Sequence, residues 1–153
     1  IFKELPKGIA YYREGVIKDY SELASFVLAT GEECLKLNPN LKCTEPGYCY
    51  VNYLDGEYRE NDIKIRYVET VQEKGIENDN IKFMELKPIN AVCIYHKGSY
   101  NNLRDSYNTI LKYIEDNGYE ITEFPRECYI DGCWNKENED DYLTEIQFPV
   151  NKK

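Results

Sequence analysis

The sequence predicts an α+β fold: a duplicated β-α-β-β unit with pseudo-twofold symmetry, whose antiparallel sheets leave a ligand groove between the halves. Two observations carry this. Tyr48–Val71 lies on Glu127–Val150 without a gap, placing Cys49 on Cys128, Tyr50 on Tyr129, Glu60 on Glu139, Asp62 on Asp141 and Val71 on Val150. Upstream, Tyr12–Gly15 repeats as Tyr95–Gly98, in each case a strand ending in glycine ahead of a helical pattern. The expected organisation is one domain over residues 1–153, with repeat 1 at about 1–75 and repeat 2 at about 81–150.

Each element has its own signal. After the first strand, Leu23, Phe26, Val27, Thr30 and Cys34 form a helical stripe. Asp19 and Glu22 are spaced as a capping box before it, Asn38-Pro39 closes it, and Gly31 inside it weakens it. Gly47–Tyr53 and Ile63–Val71 read as strands joined by a polar, charged loop. A linker rich in Glu, Asn and Asp, Gln72–Asn80, separates the halves, and a strand at Lys82–Leu86 opens the second. There Leu103, Tyr107, Ile110, Leu111 and Ile114 recur at helical spacing, with Gly118 as the stop. Arg126–Asp131 and Tyr142–Val150 complete the second unit as strands.

Composition bounds the function. With 153 residues, 42% of them hydrophobic and 14% aromatic, the chain can bury one core. A net charge of −9 opposes contact with a phosphate backbone, so DNA enters only through a separate N-terminal domain. The chain begins at Ile1 and its only methionine is Met84, which reads as a piece of a longer polypeptide. No apolar run has the roughly 18–20 residues that cross a bilayer, and no signal-peptide pattern opens the chain. The expectation is a soluble, cytoplasmic protein with no membrane partner.

Cys34, Cys43, Cys49, Cys93, Cys128 and Cys133 contain no C-x-x-C pair, and His96 is the lone histidine, so no metal site and no cofactor are expected. The cysteines read as reduced and structural. His96 ends a strand beside Lys97-Gly98 with no Ser or Cys partner in a known arrangement, and also reads as structural.

Strand parity places the candidate ligand residues. Tyr48 and Tyr50 share one face, Cys49 and Val51 the other; Glu127 and Tyr129 share one face, Cys128 and Ile130 the other. Small apolar residues suit the side beneath a helix, so the Tyr and Glu faces are expected on the opposite, concave side. Tyrosines on strands are ordinarily β-formers, and this chain has 15. Glu127 is less ordinary, because Glu is depleted in strand interiors. Tyrosine faces and one carboxylate suit a flat or cationic ligand. Tyr142 adds aromatic area or packs in the core, and Trp134 is placed as a lid or as ordinary loop packing. Glu145, whose counterpart is Arg66, is expected in a solvated or rim position.

Arg126-Glu127-Cys128-Tyr129-Ile130-Asp131 and Thr144-Glu145-Ile146-Gln147-Phe148-Pro149-Val150, with the β-α-β-β duplication, resemble the GyrI-like effector-binding domains over nearly the whole chain. That resemblance implies a pocket carboxylate at Glu127 for cationic, aromatic ligands. Ala91–Tyr95, Leu111–Asp116 and Tyr142–Ile146 are similar to the effector domain of multidrug-sensing regulators of the MerR type, alongside those of the AraC type. In such regulators the DNA-binding and dimerising segments precede this domain, which implies a homodimer in the full-length protein. Leu103 stands where such sensors carry a pocket tyrosine on the second helix.

The resemblance implies a small-molecule effector-binding domain of a transcription regulator, with Glu127, Tyr129, Tyr48, Tyr50, Tyr142 and Trp134 as ligand residues and no catalytic residue. The alternative is a stand-alone hydrolase of strained cyclopropane-containing compounds, with Glu127 as general base. Inhibition of a protein partner and haem binding are further alternatives, the latter opposed by the absence of a companion ligand for His96.

Overall fold

The computed structural model describes residues 1–45, 47–55, 59–132 and 135–153. In chain order the elements are β1 (Phe2–Leu5), β2 (Gly8–Ile17), α1 (Leu23–Leu37), β3 (Cys49–Tyr53), β4 (Ile63–Val71), β5 (Lys82–Leu86), β6 (Ile89–Lys97), α2 (Leu103–Asp116), β7 (Tyr119–Ile121), β8 (Arg126–Asp131) and β9 (Leu143–Lys152). A single 3-10 turn leads into each α-helix, Tyr20–Glu22 and Tyr100–Asn102. The architecture is α+β with antiparallel pairing, as expected. No helix among the described residues is long and apolar enough to cross a membrane.

The chain divides into two compact units, residues 6–87 and residues 1–5 with 88–153. In the first, β4 lies between β3 and β2, and β5 pairs with the other edge of β2. Ile63, Ile65 and Tyr67 on β4 and Tyr11 and Ile17 on β2 are buried, and α1 adds Leu23, Thr30 and Cys34. Asp19 caps the 3-10 turn by accepting from the Ser21 amide at 2.9 Å, and Glu22 reaches back to the Lys18 amide. This is the capping-box exchange displaced by one residue. A Cβ at Gly31 would meet only the Tyr11 hydroxyl, at 3.9 Å, so no close approach requires glycine in α1.

In the second unit, β9 lies between β6 and β8, β1 pairs with the other edge of β6, and β7 pairs with the last residues of β9. Leu103, Ile110 and Ile114 of α2 are buried on one stripe. Gly118, at φ +72°, ends the helix in the left-handed region that glycine adopts without steric cost.

One expectation is corrected. β5, read as the opening strand of the second half, hydrogen bonds to β2 instead. The available edge of β6 is occupied by β1, and burial of Phe83 and Leu86 accompanies the pairing of β5 with β2. Period-2 alternation identifies a strand but not its partner.

Candidate functional site

Glu127, the second residue of β8, is 0% exposed. In register it lies opposite Ile146 on β9, and Tyr129 lies opposite Thr144, so these four side chains share one face of the sheet. Tyr129 donates its hydroxyl to Glu127 Oε1 at 2.8 Å. Tyr107, from α2, donates to Glu127 Oε2. Each carboxylate oxygen therefore accepts a phenol, one from its own strand and one from the helix above. The two bonds offset part of the cost of burying the carboxyl group.

Aromatic rings extend from this carboxylate in two directions. The Tyr107 ring meets Phe148 edge-on, with centroids 5.9 Å apart at 84°. Tyr100, in the 3-10 turn before α2, meets Tyr129 at 5.6 Å and 68° and Tyr142 at 5.5 Å and 40°. Tyr100, Tyr107, Tyr129 and Tyr142 are all half-buried, so the cluster joins a fully buried carboxylate to a partly accessible aromatic surface. On the same face Thr144 is fully buried, and its hydroxyl has no hydrogen-bond partner among the described residues.

The parity expectation holds for Glu127 with Tyr129, but the side is corrected. The helix covers the face that carries Glu127, while Ile130, expected beneath a helix, is 45% exposed. A register irregularity between Tyr129 and Asp131 interrupts the alternation at Ile130. Once Tyr107 supplies a donor from α2, Glu127 belongs on the helix side. Glu145 is corrected as well. Expected at the rim, it is 5% exposed, ion-paired to Lys3 of β1 at 2.8 Å and bonded by the Gln147 amide at 2.5 Å. Its counterpart Arg66 pairs with Glu14 at 2.8 Å.

Among the expected ligand residues, Glu127, Tyr129 and Tyr142 come together in this cluster. Tyr48 and Tyr50 belong to the first unit, where their rings lie 5.2 Å apart at 48°. Trp134 lies outside the described residues, as does Cys133. Sequence reasoning missed Tyr100 and the role of Tyr107. Tyr107 was legible as a stripe position but not as a donor, and Leu103, at the position compared with a pocket tyrosine, is core. His96, expected to lack a Ser partner, has Ser106 within 2.7 Å of Nδ1.

The five described cysteines are free thiols, and no group of three His, Cys, Asp or Glu residues among the described positions is arranged to hold a metal ion. Burial and the nearby Glu145 carboxylate push the Cys93 thiol up to about 11.

The fold is shared with known proteins. The C-terminal domain of EcmrR is 40% identical, with a TM-score of 0.92, over 100% of this chain and 97% of that domain. The cryo-EM structure of EcmrR in an EcmrR-DNA complex matches at 40% identity and a TM-score of 0.93, and this chain spans 57% of it. Two distant structures share the fold. They are a hydrolase encoded by lin2189 of Listeria innocua, 12% identical with a TM-score of 0.65 over 98% of this chain and 91% of that one, and SAV2435 bound to tetraphenylphosphonium, 14% identical with a TM-score of 0.56 over 99% and 93%. No curated protein matches the chain. Residues 9–151 match the GyrI-like small-molecule-binding domain, and the chain belongs to that family, with the C-terminal domain of EcmrR among its similar structures.

Proposed function

We propose that this domain binds a lipophilic organic cation against Glu127 and that occupancy biases a DNA-binding segment of a longer polypeptide. The observation that carries the reading is a fully buried carboxylate whose two oxygens each accept a tyrosine hydroxyl, with further tyrosine rings leading away from it. Cation attraction to a tyrosine face contributes about 0.5–2 kcal/mol, more where water is excluded. A buried carboxylate adds charge complementarity that water does not screen.

The two phenols also shape selectivity. With one donor already on each oxygen, the carboxylate favours cations whose charge is spread over apolar surface above ammonium groups that need several acceptors. The same two bonds weaken Glu127 as a base, which supports binding over hydrolysis. The net charge of −9 leaves DNA contact to the rest of a longer chain, in line with the EcmrR-DNA complex.

The test is calorimetric titration of tetraphenylphosphonium and quaternary ammonium dyes into wild type and Glu127→Gln, with mass spectrometry of the recovered compound. Losing a buried charge partner costs about 2–5 kcal/mol, so the variant is expected to bind at least about 30-fold more weakly. Equal affinity for the two proteins refutes the role of Glu127, and a changed mass of the compound turns the reading toward hydrolysis.

A further inference from the structure

His96, the penultimate residue of β6, is a buried polar residue, 5% exposed. Its Nε2 lies 2.9 Å from the Ser99 carbonyl, and its Nδ1 lies 2.7 Å from Ser106 Oγ. A carbonyl only accepts, so Nε2 carries the hydrogen and donates it; in the neutral ring Nδ1 then accepts from the Ser106 hydroxyl. Both bonds end on a residue next in sequence to a tyrosine of the aromatic cluster. Ser99 immediately precedes Tyr100, and Ser106 immediately precedes Tyr107.

The register adds a third relation. His96 lies opposite Thr144, and Thr144 lies opposite Tyr129, so the imidazole stands in the same cross-strand row and on the same face as Tyr129. One rigid side chain thus ties the end of β6 both to the turn that carries Tyr100 and to the helix that carries Tyr107. Ser99 also caps that turn, its hydroxyl accepting from the Asn101 amide at 3.2 Å. Between Lys97 and Ser99 the chain passes Gly98 at φ +109°, a conformation that glycine adopts without steric cost.

We propose that His96 is the positioning residue of the cation site, holding Tyr107 against Glu127 and Tyr100 against Tyr129 and Tyr142. This rests on the reading under Proposed function for its ligand but not for its geometry. A donor of this kind acts through the rings it aligns, because misplacement of a binding group by about 1 Å is enough to weaken a preorganised site.

The test uses His96→Leu, His96→Gln and Ser106→Ala, with tetraphenylphosphonium titrations and NMR of ring-labelled tyrosines. His96→Leu removes both ties and is expected to weaken binding about tenfold; Ser106→Ala removes one and is expected to weaken it about threefold. His96→Gln keeps a donor that reaches the Ser99 carbonyl and is expected to recover part of the loss. In a Tyr107→Ala background the Ser106→Ala effect is expected to vanish, the coupling that a general stability role does not produce. Where His96→Leu fails to fold, Ser106→Ala and its cycle with Tyr107 decide. Variants that melt lower but bind as wild type, or effects that simply add to those of Tyr107→Ala, overturn the proposal. If wild type itself fails to bind the cation, the ligand reading falls while the rings still report on His96. Ring signals of Tyr100 and Tyr107 that shift and average in the variants then support the positioning role, and unchanged signals overturn it.

Discussion

Tyr107→Phe isolates the link between α2 and the buried carboxylate. The substitution deletes one oxygen, the donor to Glu127 Oε2, and leaves the ring in its edge-on contact with Phe148. A hydrogen bond to a charged acceptor contributes about 1.5–3 kcal/mol. In a domain of this size each kcal/mol moves the melting temperature by about 2–4 °C, so a fall of about 3–12 °C is expected. Tyr129→Phe removes the partner bond to Oε1, but Tyr129 is half-buried beside that oxygen and water can substitute in part, so the expected fall is smaller. The assay is thermal and urea unfolding at neutral pH, with far-UV circular dichroism to establish an unchanged fold. A Tyr107→Phe melting temperature within about 1 °C of wild type would refute the claim that this hydroxyl is held by a buried charge.

Two further outcomes follow from groups near the site and away from it. Thr144→Val keeps the branched shape and removes a buried hydroxyl without a partner among the described residues, so unfolding is expected to become harder by about 1 kcal/mol; a loss of stability in urea melts would show that the hydroxyl is satisfied. Partial burial of its sulfur and the Glu69 carboxylate push the Cys43 thiol up to about 11, so its iodoacetamide labelling is expected to keep rising with pH to about that value, while buried Cys93 resists until unfolding. Mass spectrometry of labelled peptides decides, and a Cys43 rate that levels off near pH 9 would contradict the assignment.

How much of this was legible depends on whether a feature is local. β4 and β8 run over the residues that alternation marked, because a sheet buried on one face forces a period-2 pattern into the chain. The pairing of Glu127 with Tyr129 on one face was legible for the same reason. What covers that face was not, since it depends on α2 placing Tyr107 over β8, and a helical stripe records burial without recording where a hydroxyl points. Tyr100 sits in a 3-10 turn, where no periodicity exists to read. Glu145 was misplaced because the cation that allows its burial, Lys3, lies 142 residues away in sequence.

Placing a carboxylate at position 127 works against folding, and that sets up a sharper test of why it is there. Removing an ion from water costs several kcal/mol even after relaxation, and the two phenols return only part of this. A methionine of similar volume packed against Ile146 and Phe148 would contribute about 1.5–3 kcal/mol by burial instead. Alone, Glu127→Met would leave the Tyr107 hydroxyl without its acceptor, so the informative variant is Glu127→Met with Tyr107→Phe, which removes both partners of one bond. Such paired replacements are close to neutral or stabilising, and the half-buried Tyr129 hydroxyl, which loses its acceptor as well, is left to bond water. The double variant is therefore expected to melt at or above wild type, recovering what Tyr107→Phe alone loses, while failing to bind tetraphenylphosphonium. If the double variant is less stable than Tyr107→Phe, Glu127 is a structural hub of the second unit, and its carboxylate needs no ligand to account for it.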